Sequence, residues 1–455
     1  MKATYCICLL AYLAVLFGCK KQDDFLNAKP NIALSTPSSL ADLQLLLNDD
    51  GIFNTKDPGL QEISSDDYYV QDGDFDNLAP VERNTYEWTQ ELYDAGSNVP
   101  DWSGPYQQVY NANVVLDALA NIPVASTQTV QAGQIKGSAL FDRCWAFYNL
   151  LQVFAPAYDS VNASELLGIP LRLTSDLNVK SVRASQKDCY SQLIKDLQTA
   201  IPLLPAQAVY KTLPSAAAAT ALLARTYLVI GDYSHAFHYA DTCLSLAGQL
   251  VDYNTLHPGS YSISTSILSE DIYHTTSVPY VLNYTWYKSV TDSTLYNSYA
   301  ANDLRKTVFF IQSGGLPWFR GTYDNKTNNY TGIATDEVYL IRAECNARLG
   351  SAAAAMHDLN TLLGTRWLSG TFVPFTAVSV DDALKQVIQE RRKELLYRGL
   401  RWTDLRRLTN DNRFAVQLKR IIHGVTYVLP PGDPRYTLPI PDNEIQSSGI
   451  AQNPR

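Results

Sequence analysis

Two stretches of the chain alternate apolar and polar positions with the period of a helix. "AAAATALLARTYLVIGDYSHAFHYADTCLSLAG", residues 216–248, carries apolar residues at three- and four-residue steps on both sides of Gly231-Asp232, which predicts two amphipathic helices joined there. "DEVYLIRAECNARLGSAAAAMHDLNTLLGTRW", residues 336–367, repeats the plan about Gly350. Ala343 lies seven residues before that glycine and Ala355 five after it, as Ala224 and Ala236 flank Gly231. Small residues at these positions let two helices approach closely, while glycine accepts the left-handed backbone that ends the first one. Upstream, "WSGPYQQVYNANVVLDALANI" from Trp102 and "IKGSALFDRCWAFYNLLQVFAPAY" from Ile135 predict two more helical segments, the second ending at Pro156. Near the C-terminus, "DDALKQVIQERRKELLYRGLRW" sets Leu384, Val387, Ile388, Leu395 and Leu396 on one apolar stripe.

The two hairpins follow the tetratricopeptide plan, but roughly 90 residues of different texture separate them, so the array is interrupted. The expected fold is mainly α, with interrupted tetratricopeptide-like hairpins and a loop-rich, aromatic-rich region containing short strands. The loops are expected near residues 48–101 and 251–332, where Gly, Asn, Asp and Ser punctuate the chain. Between Tyr280 and Tyr330 twelve aromatic residues gather, about twice the chain-wide density of 11%. A flat ring offers an apolar face to the C–H face of a sugar while neighbouring polar groups reach hydroxyls, a mixture suited to neutral, amphipathic ligands.

At the N-terminus an apolar run, "ATYCICLLAYLAVLFG", follows Lys2 and has the length of a signal-peptide core. "LFGC" resembles the bacterial lipobox, so residues 1–18 read as a lipoprotein signal peptide and Cys19 as the lipidated first residue of a unit spanning 19–455. The protein would then be tethered to a membrane and not span it. The alternative is an ordinary secretory signal with a chance cysteine. "KKQDDF" after Cys19 resembles the acidic tether that sends Bacteroidetes-type lipoproteins to the cell surface. Cys144, Cys189, Cys243 and Cys345 sit in helix-like patterns without metal-ligand spacing and read as buried fillers, a disulfide between two of them remaining open.

Charge changes the picture at one place. The chain carries a formal net charge of -9, yet "QERRKELLYRGLRWTDLRRL", residues 389–408, holds seven basic side chains against three acidic ones. Each acid has a basic neighbour at helical spacing: Glu390 with Lys393, Glu394 with Arg391 and Arg398, Asp404 with Arg401 and Arg407. Nucleic-acid binding needs an uncompensated basic face, which this acidic chain does not offer. The expected role of Arg391, Arg392, Glu394, Trp402 and Asp404 is structural, fixing the last helix onto the repeats.

"ERRKELLYRGLRWTDLRRL" resembles the C-terminal signature of the SusD/RagB family of outer-membrane nutrient-binding lipoproteins. "GDYSHAFHYAD" is similar to the family's inner hairpin, "EVYLIRAECNARLG" to its following helix, and "YTLPIPDNEIQSSGIAQNP" to its closing tail, so that residues 381–455 hold the C-terminal signature. Tyr397-Arg398 stands where an acidic residue before the glycine is common. The resemblance implies a cell-surface protein that captures an oligosaccharide, or in some relatives a peptide, and passes it unaltered to a SusC-like TonB-dependent β-barrel transporter. It implies no enzyme activity, and the residues themselves point to no cofactor and no metal ligands, a structural calcium staying open. Family sites form from loops near the early helical region and after the inner repeat. Asp67, Tyr68, Tyr69, Trp88, Trp286, Tyr287, Trp318 and Arg320 are therefore the candidate ligand residues, the rings for stacking and Asp67 and Arg320 for polar contact.

Two other classes stay in view. Glu62 with Asp66-Asp67 supplies carboxylates of the kind a glycosidase needs, though nothing in the sequence places them about a bond. A helical-repeat scaffold that binds only proteins is the second. No nucleophile elbow, zinc helix motif or phosphate loop occurs in the chain, and "DGDFDN" lacks the spacing of a calcium loop.

Overall fold

The computed structural model describes residues 37–259, 262–283, 288–321 and 323–455. Ten helices of eight or more residues among them form the scaffold: α1 (Leu40–Leu47), α2 (Pro100–Leu119), α3 (Thr129–Phe154), α4 (Gln186–Ala200), α5 (Ala216–Ile230), α6 (Tyr233–Ala247), α7 (Thr335–Arg348), α8 (Ala352–Gly364), α9 (Val380–Glu394) and α10 (Leu400–Arg407). The two hairpins stand where the periodicity places them, as α5–α6 and α7–α8. Ser215 caps α5 by accepting from the Ala218 amide, Gly231 ends it at φ 78°, and Asp232 caps α6 in turn. Ala224, Ala236, Ala343 and Ala355 are all fully buried at the helix contacts, where a larger side chain would hold the backbones apart.

Helix α3 departs from an amphipathic pattern because it is the centre of the molecule. Every residue from Ala139 to Phe154 is buried. Several of its polar side chains find partners inside: Arg143 with Asp196 at 2.6 Å, Asn149 with Asp57 at 2.9 Å, Gln152 with Tyr190 at 3.0 Å. The region 48–80 is more helical than its turn residues suggest. Short helices at Asp50–Phe53, Leu60–Ser64 and Asp72–Phe75 occupy it, too short to stand alone in water and held by what they pack against.

Ten strands appear among the described residues: β1 (Tyr68–Val70), β2 (Leu167–Pro170), β3 (Arg183–Ser185), β4 (Asp271–Tyr273), β5 (Ser289–Thr291), β6 (Phe310–Ser313), β7 (Leu316–Phe319), β8 (Ile333–Ala334), β9 (Leu418–Ile422) and β10 (Val425–Leu429). Four of them form an antiparallel sheet of order β1-β5-β7-β6, which joins the early loop region to the region after the inner repeat. The four cysteines are buried free thiols, which closes the question of pairing between them.

The arginine-rich segment is a scaffold knot, and its partners lie farther away than helical spacing suggests. Glu390 does meet Lys393 at 2.8 Å and Asp404 meets Arg407 at 2.7 Å. Glu394, however, bonds Arg305 at 3.0 Å and Arg366 at 2.7 Å rather than Arg391 or Arg398, and all three groups are fully buried. Arg391 takes Asp404 and so joins α9 to α10, while Arg398 takes Asp336 and Arg401 takes Asp66, which tie two other parts of the chain to this segment. Trp402 is fully buried and stacks on Tyr436 with centroids 4.6 Å apart.

Candidate ligand-binding surface

The sheet has two unlike faces, set by the alternation of side chains along each strand. On the inner face Tyr68, Phe310 and Phe319 are buried, and Tyr397 lies between Phe319 and Tyr68, stacked on the first at 4.5 Å and on the second at 5.6 Å. Tyr397 reaches that position from a left-handed backbone at φ 57°, followed by Gly399 at φ 71°. An aromatic residue at 397 thus joins the C-terminal signature to the sheet.

On the other face, Tyr69 pairs with Val290, Val290 with Trp318 and Trp318 with Ile311, so these four form one row across the sheet. Tyr69 and Trp318 are half-buried and flank the fully buried Val290. Two strand spacings of about 4.8 Å put their backbones about 10 Å apart. The Trp318 indole donates to the Ser313 carbonyl at 3.1 Å, which fixes its ring on the β6–β7 turn.

The remaining candidates separate by burial. Tyr68 offers no free ring face. Asp67 is wholly buried and accepts from Arg392 Nε at 2.9 Å, while Asp66 beside it takes Arg401 at 2.6 and 2.8 Å. Burial raises the Asp67 carboxyl, with Arg392 opposing; at Asp66 burial acts the same way but Arg401 and Arg392 outweigh it and hold the group well below the carboxylate range. Trp88 is buried at φ 56°, its indole donating to the Ser64 carbonyl at 3.0 Å and the Arg420 guanidinium lying 4.3 Å above its ring. Arg320 donates to the carbonyls of Gly259, Thr307 and Phe310 at 2.9–3.0 Å, tying loops together. Asp67, Tyr68 and Trp88 are thus buried and tied into the scaffold, and Arg320 is partly buried with its terminal nitrogens on loop carbonyls, while Asp67 Oδ2, the Tyr68 hydroxyl and Arg320 Nε have no partner within the protein. Trp286, Tyr287 and Cys19 lie outside the described residues.

A cleft of about 540 Å³ opens where three segments meet, lined by Thr55, Lys56, Asn98, Pro100, Ser103, Gly104, Gln107, Val278 and Pro279. Its walls are pinned from behind. Asp101 accepts the Gly59 and Leu60 amides at 2.6 and 2.8 Å and the Tyr280 hydroxyl at 2.5 Å; burial raises its carboxyl, and these three donors pull the other way. Asn283 donates to the Gly59 carbonyl at 2.9 Å, and a Cβ on Gly59 would stand 2.6 Å from the Asn283 amide nitrogen. Glycine is needed there because two loops cross at backbone distance. Lys56 bonds Gln107 across the cleft. Sequence reasoning missed Lys56, Asn98, Ser103 and Gln107. The available signal was a stripe at positions 100, 103, 104 and 107 of α2 holding only small or polar residues, on a helix otherwise packed into the core.

The lining offers hydroxyl, amide and ammonium groups but no paired carboxylates. Glu62, Asp66 and Asp67, the acids with a glycosidase-like look, are committed to the C-terminal signature: Glu62 accepts the Gly399 amide at 3.0 Å, and burial together with the charge of Asp67 pushes its carboxyl up to about 8. Among the described residues no group of His, Cys, Asp and Glu is arranged to hold a metal ion, and no helix is long and apolar enough to cross a membrane.

Comparison with known proteins agrees with this architecture. Residues 24–228 match a family model described as "Starch-binding associating with outer membrane", of the SusD-like type, and residues 265–455 match the model of the SusD family. A SusD-like protein, P2, of Formosa agariphila is 23% identical over 381 residues, covering 68% of this chain and 72% of that protein. A SusD superfamily protein from Bacteroides thetaiotaomicron superposes with a TM-score of 0.72 at 23% identity, covering 92% of this chain and 100% of that one. A SusD-like carbohydrate-binding protein from Bacteroides vulgatus gives 0.67 at 19% identity over 91% and 97% of the two chains. A laminarin-binding SusD-like protein gives 0.62 at 18% identity over 91% and 98%. Two matched models that cover residues 24–228 and 265–455, a helical-repeat fold shared along nearly the whole length, and a signature whose charges knit that fold together all point one way: the chain belongs to the SusD/RagB family.

Proposed function

We propose that this protein binds an oligosaccharide at the cell surface and hands it, chemically unaltered, to a SusC-like TonB-dependent β-barrel transporter. Residues 19–455 would act as one binding unit, held to the outer membrane through acylated Cys19. The observation that carries the reading is the convergence of two distant loop regions on one side of the scaffold. They form a cleft lined by hydrogen-bonding groups, and the segment leaving it at Pro279 leads through residues 284–287 to the strand between Tyr69 and Trp318. Two aromatic residues whose backbones lie about 10 Å apart across the sheet can each stack on the apolar face of a sugar in one bound chain. Trp286 and Tyr287 belong to the linking segment and are proposed as further stacking residues. The carbohydrate-binding and laminarin-binding names of structural neighbours support a glycan as cargo.

Calorimetry with laminarin oligosaccharides and a panel of other neutral glycans tests this. A Tyr69→Ala, Trp318→Ala double variant should bind at least about ten-fold more weakly, since stacking on one aromatic ring contributes on the order of 1 kcal/mol. Its melting temperature should match the parent within about 2 °C, because both residues are only partly buried and 1 kcal/mol is worth about 1 °C in a chain of this length. Unchanged affinity removes the sheet face from the site. Binding of peptides and no glycan would transfer the reading to a peptide carrier, and release of reducing sugar during incubation would overturn it.

A further inference from the structure

A second cavity, of about 370 Å³, opens on the other flank of α2, with Ser103 in the wall of both. Its walls differ in kind from those of the polar cleft. Trp102, Tyr106 and Tyr110 supply aromatic surface from α2, Leu177 stands well exposed on the loop 171–182, and Arg172 and Glu444 bring one charge of each sign. The volume lies within the range of about 300–1,000 Å³ typical of small-molecule sites.

Neither charge is neutralised by the protein. The Glu444 carboxylate has no hydrogen-bond or ion-pair partner among the described residues, although the residue is half-buried. Arg172 donates to the Asp176 carbonyl at 2.7 Å, to Ser181 Oγ at 3.4 Å and to the Val179 carbonyl, all on its own loop. Three of its five N–H groups are thereby spent on neutral oxygens, and no carboxylate meets it. Both charges bear on the same ring: burial raises the Tyr106 phenol, the Glu444 charge adds to the rise, and Arg172 opposes it. Even so, Arg172 and Glu444 form no ion pair with each other across the cavity.

We propose that this cavity is a separate binding site for a small zwitterion, an amino acid or dipeptide, whose ammonium meets Glu444 and the adjoining ring faces and whose carboxylate meets Arg172. A neutral sugar would leave both full charges with dipolar partners only, whereas a zwitterion gives each a charge-assisted hydrogen bond. The phenol faces of Tyr106 and Tyr110 add attraction for the cation, and exposed Leu177 covers the ligand's apolar body. The site does not depend on the glycan reading, since it lies on a different wall of α2.

The full chain is titrated by calorimetry with glycyl-leucine, N-acetyl-glycyl-leucine and glycyl-leucinamide. The free dipeptide should bind, and each blocked form should bind at least about ten-fold more weakly. Glu444→Gln should erase the preference over the N-acetyl form, keep the preference over the amide, and leave laminarin-oligosaccharide binding unchanged. Equal affinity for all three, no heat up to about 10 mM free dipeptide, or a Glu444→Gln protein that still rejects the acetylated form would each overturn the proposal. So would loss of glycan binding in Glu444→Gln, which would make the cavity part of the glycan site.

Discussion

Replacing Arg305 with Met tests whether the arginine knot holds the fold or serves the ligand. Arg305 is fully buried and commits four of its five N–H groups: Nε and Nη2 to Asp303 at 2.9 and 2.7 Å, Nη2 also to Glu390 at 2.6 Å, Nη1 to Glu394 at 3.0 Å. Met keeps much of the volume and removes the charge. Three buried carboxylates then remain with Lys393, which reaches Glu390 at 2.8 Å and Asp303 at 3.5 Å, and with Arg366 on Glu394. Stripping one partner from a buried pair typically costs roughly 3–5 kcal/mol, and here the loss falls at the upper end because three acids share it. For a chain of 455 residues, an unfolding entropy of about 2.1 cal/mol/K per residue makes 1 kcal/mol worth about 1 °C, so the melting temperature should fall by about 3–5 °C. The pH dependence sharpens the test. The Asp303 carboxyl is pushed up by burial, but Arg305 outweighs this and depresses it, so its contribution is present above the unfolded carboxylate range and is lost as pH falls through the folded value. The gap between parent and variant should therefore be widest near neutrality and close below about pH 4. Scanning calorimetry at pH 7 and at steps below about pH 4 measures both. A variant with parental melting behaviour but lost glycan binding would refute the scaffold role.

Further outcomes follow from single contacts. His274 sits between Asp271 at 2.6 Å and Asp324 at 3.1 Å; burial opposes its protonation, but these bonds outweigh burial and raise it to about 9. A raised histidine stabilises fully below its unfolded value and loses that contribution as pH rises through the folded one, so about 3 kcal/mol should fade between about pH 6.5 and 9. Denaturant midpoints across that range should fall for the parent and stay flatter for His274→Gln. Gly399→Ala should cost about 1–2 kcal/mol, because φ is 71° and the new Cβ would stand 2.7 Å from Gln61 Nε2; an unshifted denaturation midpoint would refute the strain. Burial pushes the thiols of Cys144, Cys189, Cys243 and Cys345 upward, so a thiol reagent should label none of them until the chain unfolds.

What the sequence revealed and what it hid divide along one physical line, the distance over which a feature is determined. The hairpins α5–α6 and α7–α8 were legible because period, cap and terminal glycine all lie within one stretch, and Gly231 and Gly350 do adopt positive φ. The knot was legible only as a knot. Helical spacing pairs Glu394 with neighbours a turn away, yet its partners Arg305 and Arg366 lie 89 and 28 residues distant, and nothing local distinguishes a carboxylate that folds outward from one that closes a core. The cleft was hidden for the same reason, since Asp101 builds it by gathering amides 41 and 42 residues away.

The aromatic residues show the sharpest form of this limit. Tyr68 and Tyr69 are adjacent, identical and equally plausible as platforms, yet one is sealed against Tyr397 and the other faces outward beside Val290. Which is which depends on the parity of β1, and parity is fixed by pairing with a strand more than two hundred residues later. A slip of one residue would exchange their roles and turn the buried face of the sheet to solvent. The register that aligns Tyr69 and Trp318 in the proposed binding row is thus the same register that lets Tyr397 stack between Phe319 and Tyr68. Tyr397→Ala should for that reason weaken glycan binding without touching the ligand, through loss of the inner stack that holds the strands in register. If Tyr397→Ala lowers stability by the roughly 3–5 kcal/mol expected of a buried aromatic truncation while glycan affinity stays at the parental value, the row does not depend on the stack and the coupling argued here is wrong.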